Sequence, residues 1–272
     1  MSANASARSV LPWRPRLLAP GRFATILITE TRSELLKAIR LPAFVVPILV
    51  FPAMFYALFG LMLAGSTPVA GLTMPAYLLA SYGTFGVVGA ALFGMGVGVA
   101  AERGQGWLTL KRATPMPPLA YFLAKAVMSM GIGALIAGLL AVLGIAFGGV
   151  RLPLPTWVLL LTVLTLGAAP FCALGCALGY LSGPSSAPVI ANLIYLPMAL
   201  ASGLWIPIEF LPGFLQQIAP LLPPYHLARL ALGAIGGASN AWVHTAALAG
   251  FTALFLAIAV FAYRRDDDRT WG

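Results

Sequence analysis

Long apolar blocks fill the sequence between Ala43 and Tyr263, and the ionisable residues fall between these blocks. Only 8% of the residues are charged and 60% are hydrophobic, with a mean hydropathy of +0.94. Water-soluble domains do not have such a composition. About 20 apolar residues cross the hydrocarbon as a helix, and a charge at its centre costs roughly 2.5–3.5 kcal/mol on insertion scales. The sequence therefore predicts an all-α integral membrane protein.

Six membrane spans are predicted, because Pro and Gly, which interrupt helices, mark most of the gaps between the apolar blocks. The spans are expected at residues 43–64, 75–101, 119–148, 156–181, 187–206 and 241–263. Together they form one predicted transmembrane domain over residues 42–263, and a cytoplasmic tail is expected at 264–272.

The distribution of Lys and Arg predicts the orientation of the spans. With both termini in the cytoplasm, Arg151 and Arg229 are on the outer side, and the other 14 of the 16 basic residues are inside. This is the positive-inside pattern of a multi-pass protein, expected here in a bacterial inner membrane. Basic residues along the inner face, beside membrane lipids, also explain a pI of about 10.1, so no nucleic-acid partner is expected.

The N-terminal region divides into two predicted parts. Residues 1–21 have the composition of a basic disordered tail. From Arg22 to Leu41 apolar and polar residues occupy opposite arcs of a helix, with Glu34 among the residues that break the pattern. We predict an amphipathic helix at 22–41 that lies along the inner leaflet. The alternative is a basic flank that only sets topology.

Catalytic and ion-coupling motifs are missing from the sequence. It has no phosphate loop (GxxxxGK followed by Ser or Thr) and no HExxH metal motif, and Cys172 and Cys176 are interpreted as packing residues. An ion-coupled carrier usually places Asp, Glu or His at mid-membrane depth, whereas the acids here are predicted at interfaces or outside the spans. We therefore expect a non-enzymatic transport pathway that binds no metal or cofactor and obtains its energy elsewhere.

Polar residues collect in the loop between the second and third predicted spans. Trp107, Leu108 and Lys111 have helical spacing, and Pro115 would end such a helix. We predict a short basic amphipathic helix under the membrane, tied at one end by Glu102, that receives force from a cytoplasmic partner. The alternative is an interfacial linker that only carries positive-inside charges.

A second unusual region lies between the fifth and sixth predicted spans. It is too apolar for a soluble loop and too interrupted by Pro for a spanning helix. A re-entrant pair of short helices in the outer leaflet fits this pattern, provided that protein covers the interrupted backbone. The residues predicted to form this outer gate are Trp205, Pro207, Glu209, Leu211 and Pro212.

The loop before the third span resembles the coupling segment of the ABC-2-type transporter permeases, in particular their drug-resistance branch. The family pattern is an acidic residue that ends the second span, then Gly, Leu, a basic residue and Pro, and a Lys that opens the third span. The matching residues here are Glu102, Gly106, Leu108, Lys111 or Arg112, Pro115 and Lys125. Gln105 and Trp107 depart from the acidic residue and the Thr that family members commonly carry beside that Gly.

The outer segment extends the resemblance through Pro207, Leu211 and Pro212, although Pro223-Pro224 stands where the family usually has Asn-Pro. The resemblance implies a permease that works as two copies, expected as a homodimer, with two separate ATP-binding subunits that hold the ATP and Mg. It also implies a set of residues that couple the chain to the ATPase. These are Glu102, Arg103, Gly106, Leu108, Lys111, Arg112 and Pro115.

The expected function is ATP-driven export of a lipophilic or amphipathic molecule, on analogy with the family. Export of a glycolipid or polysaccharide, an ion-coupled carrier and a membrane scaffold are the alternatives. Aromatic residues of spans one, two and five, with a mid-span amide, form the candidate substrate path, although such aromatics are more often packed or lipid-facing. The path residues are Phe51, Phe55, Tyr82, Phe85, Asn192 and Tyr195.

Overall fold

The apolar blocks fold as helices, since a backbone in hydrocarbon has to satisfy its hydrogen bonds within its own segment. The computed structural model describes residues 20–62, 68–114 and 116–271, and the α-helices in these ranges are numbered in chain order. They are α1 (Pro20–Ile39), α2 (Pro42–Phe55), α3 (Met74–Leu92), α4 (Gly98–Gly104), α5 (Trp107–Arg112), α6 (Pro118–Ala146), α7 (Leu154–Leu166), α8 (Ala169–Leu181), α9 (Ala187–Ala201), α10 (Gly213–Ile218), α11 (Pro223–Ala234) and α12 (Ala241–Trp271).

The all-α prediction is confirmed for the described residues, which contain no β-strand. Five helical stretches among them are long and apolar enough to cross a membrane, as a multi-pass membrane protein requires. These stretches are Val45–Met62, Met74–Gly104, Pro118–Ala146, Leu154–Leu181 and Ala241–Asp266.

The predicted span at 187–206 differs most from the structure. Helix α9 has 15 residues and is therefore about 22 Å long, against a hydrocarbon thickness of about 30 Å. It ends at Ala201 because Gly203 has a positive φ of 75° and the backbone N of Leu204 donates to Ala199 O. The described residues therefore support five long spans and one shorter apolar helix, and not six full-length spans.

Three of the long spans are not uniform α-helices. The first continues from α2 into a π-helix at Tyr56–Met62, and the second contains a π-helical segment at Phe93–Val97 between α3 and α4. The predicted span at 156–181 is interrupted, with α7 ending at Leu166 and α8 beginning at Ala169. Pro170 fits this restart, because a first helical turn does not need the N–H that Pro lacks.

Helix α3 is the centre of the fold. Its residues are buried without interruption from Ala76 to Leu92, and α2, α6, α8 and α11 pack around it. The π-helical segment that follows lies so near α8 that a Cβ on Gly175 would be 3.1 Å from the backbone N of Gly96. Glycine at this contact lets the two helix backbones approach closely.

The flanking regions are also helical. Helix α1 occupies the region predicted as an amphipathic helix and packs along α6. The predicted tail at 1–21 lies outside the described residues, except for Pro20 and Gly21, which belong to α1. Helix α12 continues through most of the predicted C-terminal tail, and between α9 and α12 lie α10, α11 and short 3₁₀ turns in the region predicted as re-entrant.

Candidate coupling cluster and substrate cavity

The loop between the second and third spans folds as a tight turn and a short helix. Helix α4 ends at Gly104, Gly106 has a left-handed φ of 76°, and α5 begins at Trp107. A residue with a Cβ would be strained at Gly106. The structure thus places a helix where the loop predicts one. The candidate coupling residue Pro115 lies outside the described residues, and the side chain of Arg112 is likewise not described.

The carboxylate of Glu102, in the last turn of the second span, binds groups from two other helices. Tyr121 of α6 donates its hydroxyl to Oε2 at 2.6 Å, and Lys125 of α6 donates to Oε1 at 3.0 Å. Lys37 of α1 donates to the same Oε1 atom. Glu102 therefore ties the end of α4 to both α1 and α6.

A second carboxylate, that of Glu34 in α1, completes the network. It accepts from Lys125 Nζ at 2.6 Å and from Lys37 Nζ at 2.9 Å. Lys111 of α5 lies 3.8 Å from Glu34 Oε1 and donates to Glu30 Oε1. We name these residues the acid–lysine cluster: Glu30, Glu34, Lys37, Glu102, Lys111, Tyr121 and Lys125.

The acid–lysine cluster is charge-balanced and largely buried. It contains three acids and three lysines, and Lys125 and Glu34 are only 2% and 3% exposed. A buried charge is tolerated only where it is paired and hydrogen-bonded, a condition that these contacts meet. Although burial alone lowers the pKa of Lys37, the hydrogen bond and charge of Glu102, with those of Glu34, raise it above its ordinary value. Lys37 is therefore charged at neutral pH.

Sequence reasoning identified only part of this cluster. Glu102 and Lys111 belong to the polar loop, and Lys125 enters through the family resemblance. Glu34 was interpreted as a break in an amphipathic pattern, and Tyr121 carries no signal. The spacing of Glu30, Glu34 and Lys37 was the available clue, because residues three and four apart share a helix face. The structure turns the face with Glu34 and Ala38 inward, while Ile28 and Ile39 are exposed.

The predicted outer-gate residues occupy different environments. Trp205 is the one that meets the candidate path, because its carbonyl accepts from Tyr82 Oη at 3.0 Å and its ring stacks on Phe55. Glu209 lies 4.0 Å from Arg229 of α11. The other three contribute to local turns through their carbonyls. They are Pro207, Leu211 and Pro212, which accept from Phe210, Gln216 and Leu215.

A cavity of about 350 Å³ opens between α2, α3 and α9. Four of the six predicted path residues line it, namely Phe51, Phe85, Asn192 and Tyr195. Tyr195 donates its hydroxyl to Phe85 O at 2.8 Å and stacks on the Phe85 ring, which holds α9 against α3. The wall is apolar apart from Asn192, which donates to Pro188 O in its own helix.

The other two path residues lie beside this cavity. Phe55 stacks on both Tyr82 and Trp205, and Trp205 makes an edge contact with Phe85. These rings form a continuous aromatic wall from the cavity to the end of α9. The structure thus brings together residues that the sequence separates by more than 100 positions, as the Phe85–Tyr195 bond illustrates.

A second polar group lies near the start of α3, at the opposite end of that span from Glu102. The Nδ1 atoms of His226 and His244 are 2.9 Å apart, and His226 Nε2 donates to Pro220 O at 2.9 Å. The Pro220 carbonyl can only accept, so His226 Nε2 carries the proton. In a neutral imidazole the other nitrogen is then the acceptor, and His226 Nδ1 accepts from His244 Nδ1–H. We name His226, His244, Glu209 and Arg229 the histidine cluster. The sequence did not predict the contact between α11 and α12 that forms it.

Comparison with known proteins places this arrangement in a family. A model of the ABC-2 type transporter family matches residues 26–235, which is most of the chain. This chain belongs to the ABC-2 type transporter family. It is also similar to "Putative transport permease YvfS" of Bacillus subtilis (strain 168), with 28% identity over 248 residues, covering 89% of this chain and 98% of the relative.

Membership of the ABC-2 family confirms the resemblance that the loop and outer segment indicate. It identifies the chain as a membrane transport permease, and it implies a partnership with an ATP-binding subunit. The residues that perform the coupling and line the path are not assigned by the family match.

Proposed function

We propose that this permease is the membrane subunit of an ATP-driven exporter that moves a lipophilic or amphipathic molecule out of the cytoplasm or inner leaflet. A separate ATP-binding subunit holds the ATP and Mg and supplies the work. The assembly has two permease copies as a homodimer and two ATP-binding subunits, in a bacterial inner membrane with both termini cytoplasmic. The observation that carries the proposal is the acid–lysine cluster, which joins α1, α4, α5 and α6 at one end of the fold.

The acid–lysine cluster is suited to transmit force because its bonds connect different helices. A displacement of α5 reaches α1 through the Lys111–Glu30 ion pair. It reaches α6 through Glu102 of the preceding helix α4, which accepts from Tyr121 and Lys125. The four helices therefore move together when the partner subunit pushes on α5, since charge-assisted hydrogen bonds in a buried site resist stretching.

The face of α5 that meets the partner subunit is the exposed one. Trp107 and Leu110 are 53% and 67% exposed, whereas Leu108 is buried and Lys111 is paired with Glu30. We infer that Trp107 and Leu110 dock on the ATP-binding subunit. Glu102, Leu108 and Lys111 then act behind this surface, by holding α5 to the rest of the permease.

The cavity between α2, α3 and α9 is the proposed substrate site. Its volume of about 350 Å³ falls in the range of roughly 300–1,000 Å³ that small-molecule sites have. Its wall is aromatic and aliphatic, with Asn192 as a polar contact at the α9 side. This favours a lipophilic or amphipathic cargo over a polysaccharide, and the aromatic wall leads from the cavity to Trp205 and the proposed gate.

The proposal is tested with the permease and its ATP-binding subunit purified together and reconstituted in liposomes. Glu102→Gln and Lys111→Ala should each lower ATP-dependent transport and substrate-stimulated ATP hydrolysis by about tenfold, as expected for loss of a typical coupling free energy. Arg151→Ala is the matched control, because Arg151 is an exposed basic residue in the α6–α7 connection.

Two results would contradict the proposal. Unchanged transport and stimulation in both variants would exclude the acid–lysine cluster as the coupling element. Uphill transport by the purified permease alone, driven by an ion gradient, would exclude the ATP-driven mechanism. Crosslinking of a labelled hydrophobic substrate to Phe51, Phe85 or Tyr195 would support the cavity as the site, and crosslinking wholly elsewhere would exclude it.

A further inference from the structure

Arg103 follows Glu102 in the chain, but its side chain leaves the acid–lysine cluster and crosses to α8 and α12. One guanidinium nitrogen, Nη1, donates to Tyr180 O, and the other, Nη2, donates to Ser182 O at 2.7 Å. Nη1 also lies 3.4 Å from Asp266 Oδ1 of α12. Two adjacent residues of α4 therefore bind different sets of helices: Glu102 binds α1 and α6, and Arg103 binds α8 and α12.

The partners of Arg103 explain why an arginine is required there. Helix α8 ends at Leu181, and the last four carbonyls of a helix have no partner within that helix. A cation at this end satisfies such carbonyls and interacts favourably with the helix dipole. The planar guanidinium can donate to Tyr180 O and Ser182 O at the same time, which the compact ammonium of Lys does poorly.

The backbone next to Arg103 is packed equally tightly. A Cβ on Gly104 would overlap the ring of Pro184, so the end of α4 rests directly on the turn between α8 and α9. Along the same seam, a Cβ on Gly179 would come within 2.9 Å of Gly96 O. Helix α8 is therefore in contact with the π-helical segment and with α4 after it, and Arg103 closes the α4 end of that contact.

The turn that Arg103 and Gly104 hold leads directly into the cavity helix. The backbone N of Gly183 donates to Ser186 Oγ at 3.0 Å, and the backbone N of Ala187 donates to Gly183 O at 2.9 Å. Helix α9 starts at Ala187 and carries Asn192 and Tyr195, which line the cavity. A short, hydrogen-bonded turn thus connects the partners of Arg103 to the helix that lines the proposed substrate site.

We propose that Arg103 is a positioning residue inside the permease: it binds the coupling segment to the α8–α9 turn, so that movement of α5 reaches α9 and the cavity. The family resemblance implied that Arg103 couples to the ATPase, and the contacts of Arg103 assign it to an internal connection instead. This inference rests on the proposed ATP-driven function for its transport consequence, although the connection itself is testable without transport.

The test compares Arg103→Ala and Arg103→Lys with the control Arg265→Ala, in which an exposed arginine of α12 is removed. Hydrogen exchange in the purified complex reports the connection itself. The amides of Gly183 and Ala187 should exchange about tenfold faster in Arg103→Ala, because the turn opens locally when its anchor is lost. Arg103→Lys should be intermediate and Arg265→Ala unchanged.

The functional readout is the ratio of coupled to basal activity in the same complexes. Arg103→Ala should keep the ATP-binding subunit and the basal rate of ATP hydrolysis, with an unchanged KM for ATP. The transport rate and the stimulation of ATP hydrolysis by substrate should each fall about tenfold, as expected when the coupling free energy between two sites is lost. Arg103→Lys should restore both in part.

The outcomes separate the alternatives. Unchanged exchange at Gly183 and Ala187 in Arg103→Ala would overturn the inference. If the ATP-binding subunit were also lost from that variant, Arg103 would be a direct contact with the ATPase. Faster exchange together with normal coupling would also overturn it. If the wild-type complex showed no ATP-driven transport, the proposed function would fail, whereas the exchange result would still decide whether Arg103 holds the turn.

Discussion

The acid–lysine cluster and the histidine cluster lie at opposite ends of the span Met74–Gly104, and they differ in how their polar groups are held. In the first, the buried carboxylates of Glu34 and Glu102 each bind two lysines. In the second, one hydrogen bond joins two imidazoles, and the Glu209–Arg229 ion pair is 4.0 Å long, with 41% of the Glu209 side chain exposed. Tyr77 in the first turn of α3 lies beside that ion pair.

This difference suggests a division of mechanical roles. Ion-paired groups with several buried partners form a connection that resists opening. A pair of neutral imidazoles and an exposed ion pair form a weaker connection that acid or salt can release. We therefore expect the acid–lysine end to transmit force and the histidine end to open.

The largest effect is expected from Lys125→Met. This change leaves Glu34 and Glu102 without the buried cation between them, and breaking a buried pair by removing one partner typically costs about 3–5 kcal/mol. Thermal or denaturant unfolding of the protein in detergent measures this loss of stability.

Lys111→Met serves as the comparison, because Lys111 is more exposed and should matter less. The double variant Lys125→Met/Glu34→Gln restores the charge balance and should recover part of the loss. If Lys125→Met were no more destabilising than Lys111→Met, the acid–lysine cluster would not be a buried, interdependent network.

An intermediate effect is expected from acid at the histidine cluster. Burial lowers the pKa of His226 below its ordinary value of about 6.5, and the bond to Pro220 O only partly offsets this. The folded state then binds the proton less readily than the unfolded chain, so stability is retained above about pH 6.5 and falls as the pH decreases through the folded pKa. Loss of one hydrogen bond corresponds to about 1 kcal/mol.

Melting temperatures at pH 7.5 and 5.5 measure this effect. Its physical cause is protonation of His226 Nδ1, which faces the Nδ1–H of His244. The variant His226→Phe/His244→Phe keeps the aromatic packing and removes the titrating pair. Its melting temperature should fall less on acidification than that of the wild type. An equal fall in both proteins would show that other groups cause the pH dependence.

The smallest effect is expected from Glu209→Gln. Ion pairs between exposed side chains contribute about 0–1 kcal/mol, and the distance to Arg229 is already at the limit for such a pair. The same melting assay, at low and high salt, should show a change near its detection limit. A loss of stability comparable with that of Lys125→Met would mean that the histidine cluster is held as firmly as the acid–lysine cluster.

The regions that sequence reasoning predicted well are those governed by local rules. Apolar length and the need for internal backbone hydrogen bonds place the five long spans within a few residues of their observed bounds. The same rules failed at 187–206, because they count apolar residues and ignore Gly203, whose positive φ ends α9 early. The break at Gly167–Ala168 was also missed, because the apolar block continues across it without interruption.

The candidate site residues come from distant parts of the sequence, and only the packed structure shows their surroundings. Phe51, Phe85, Asn192 and Tyr195 line one cavity, and their assignment to a substrate path stays a prediction. Leu108 and Lys111 were predicted to couple the chain to the ATPase, which stays a prediction. In the structure Leu108 is buried and Lys111 binds Glu30, while Trp107 and Leu110 are exposed on α5. Which face of a short helix is free depends on what packs against it, and six residues of sequence do not contain that information.

The sequence by itself determined that this chain is helical, crosses the membrane several times and carries a polar loop with the pattern of an ABC-2 permease. These properties follow from composition and from patterns within a few tens of residues. The tertiary structure alone decided that Glu34 meets Lys125 across 91 positions, that Arg103 binds the end of α8, and that His226 meets His244. Such contacts form because a buried polar group needs a partner wherever the packed helices provide one, whatever the distance along the chain.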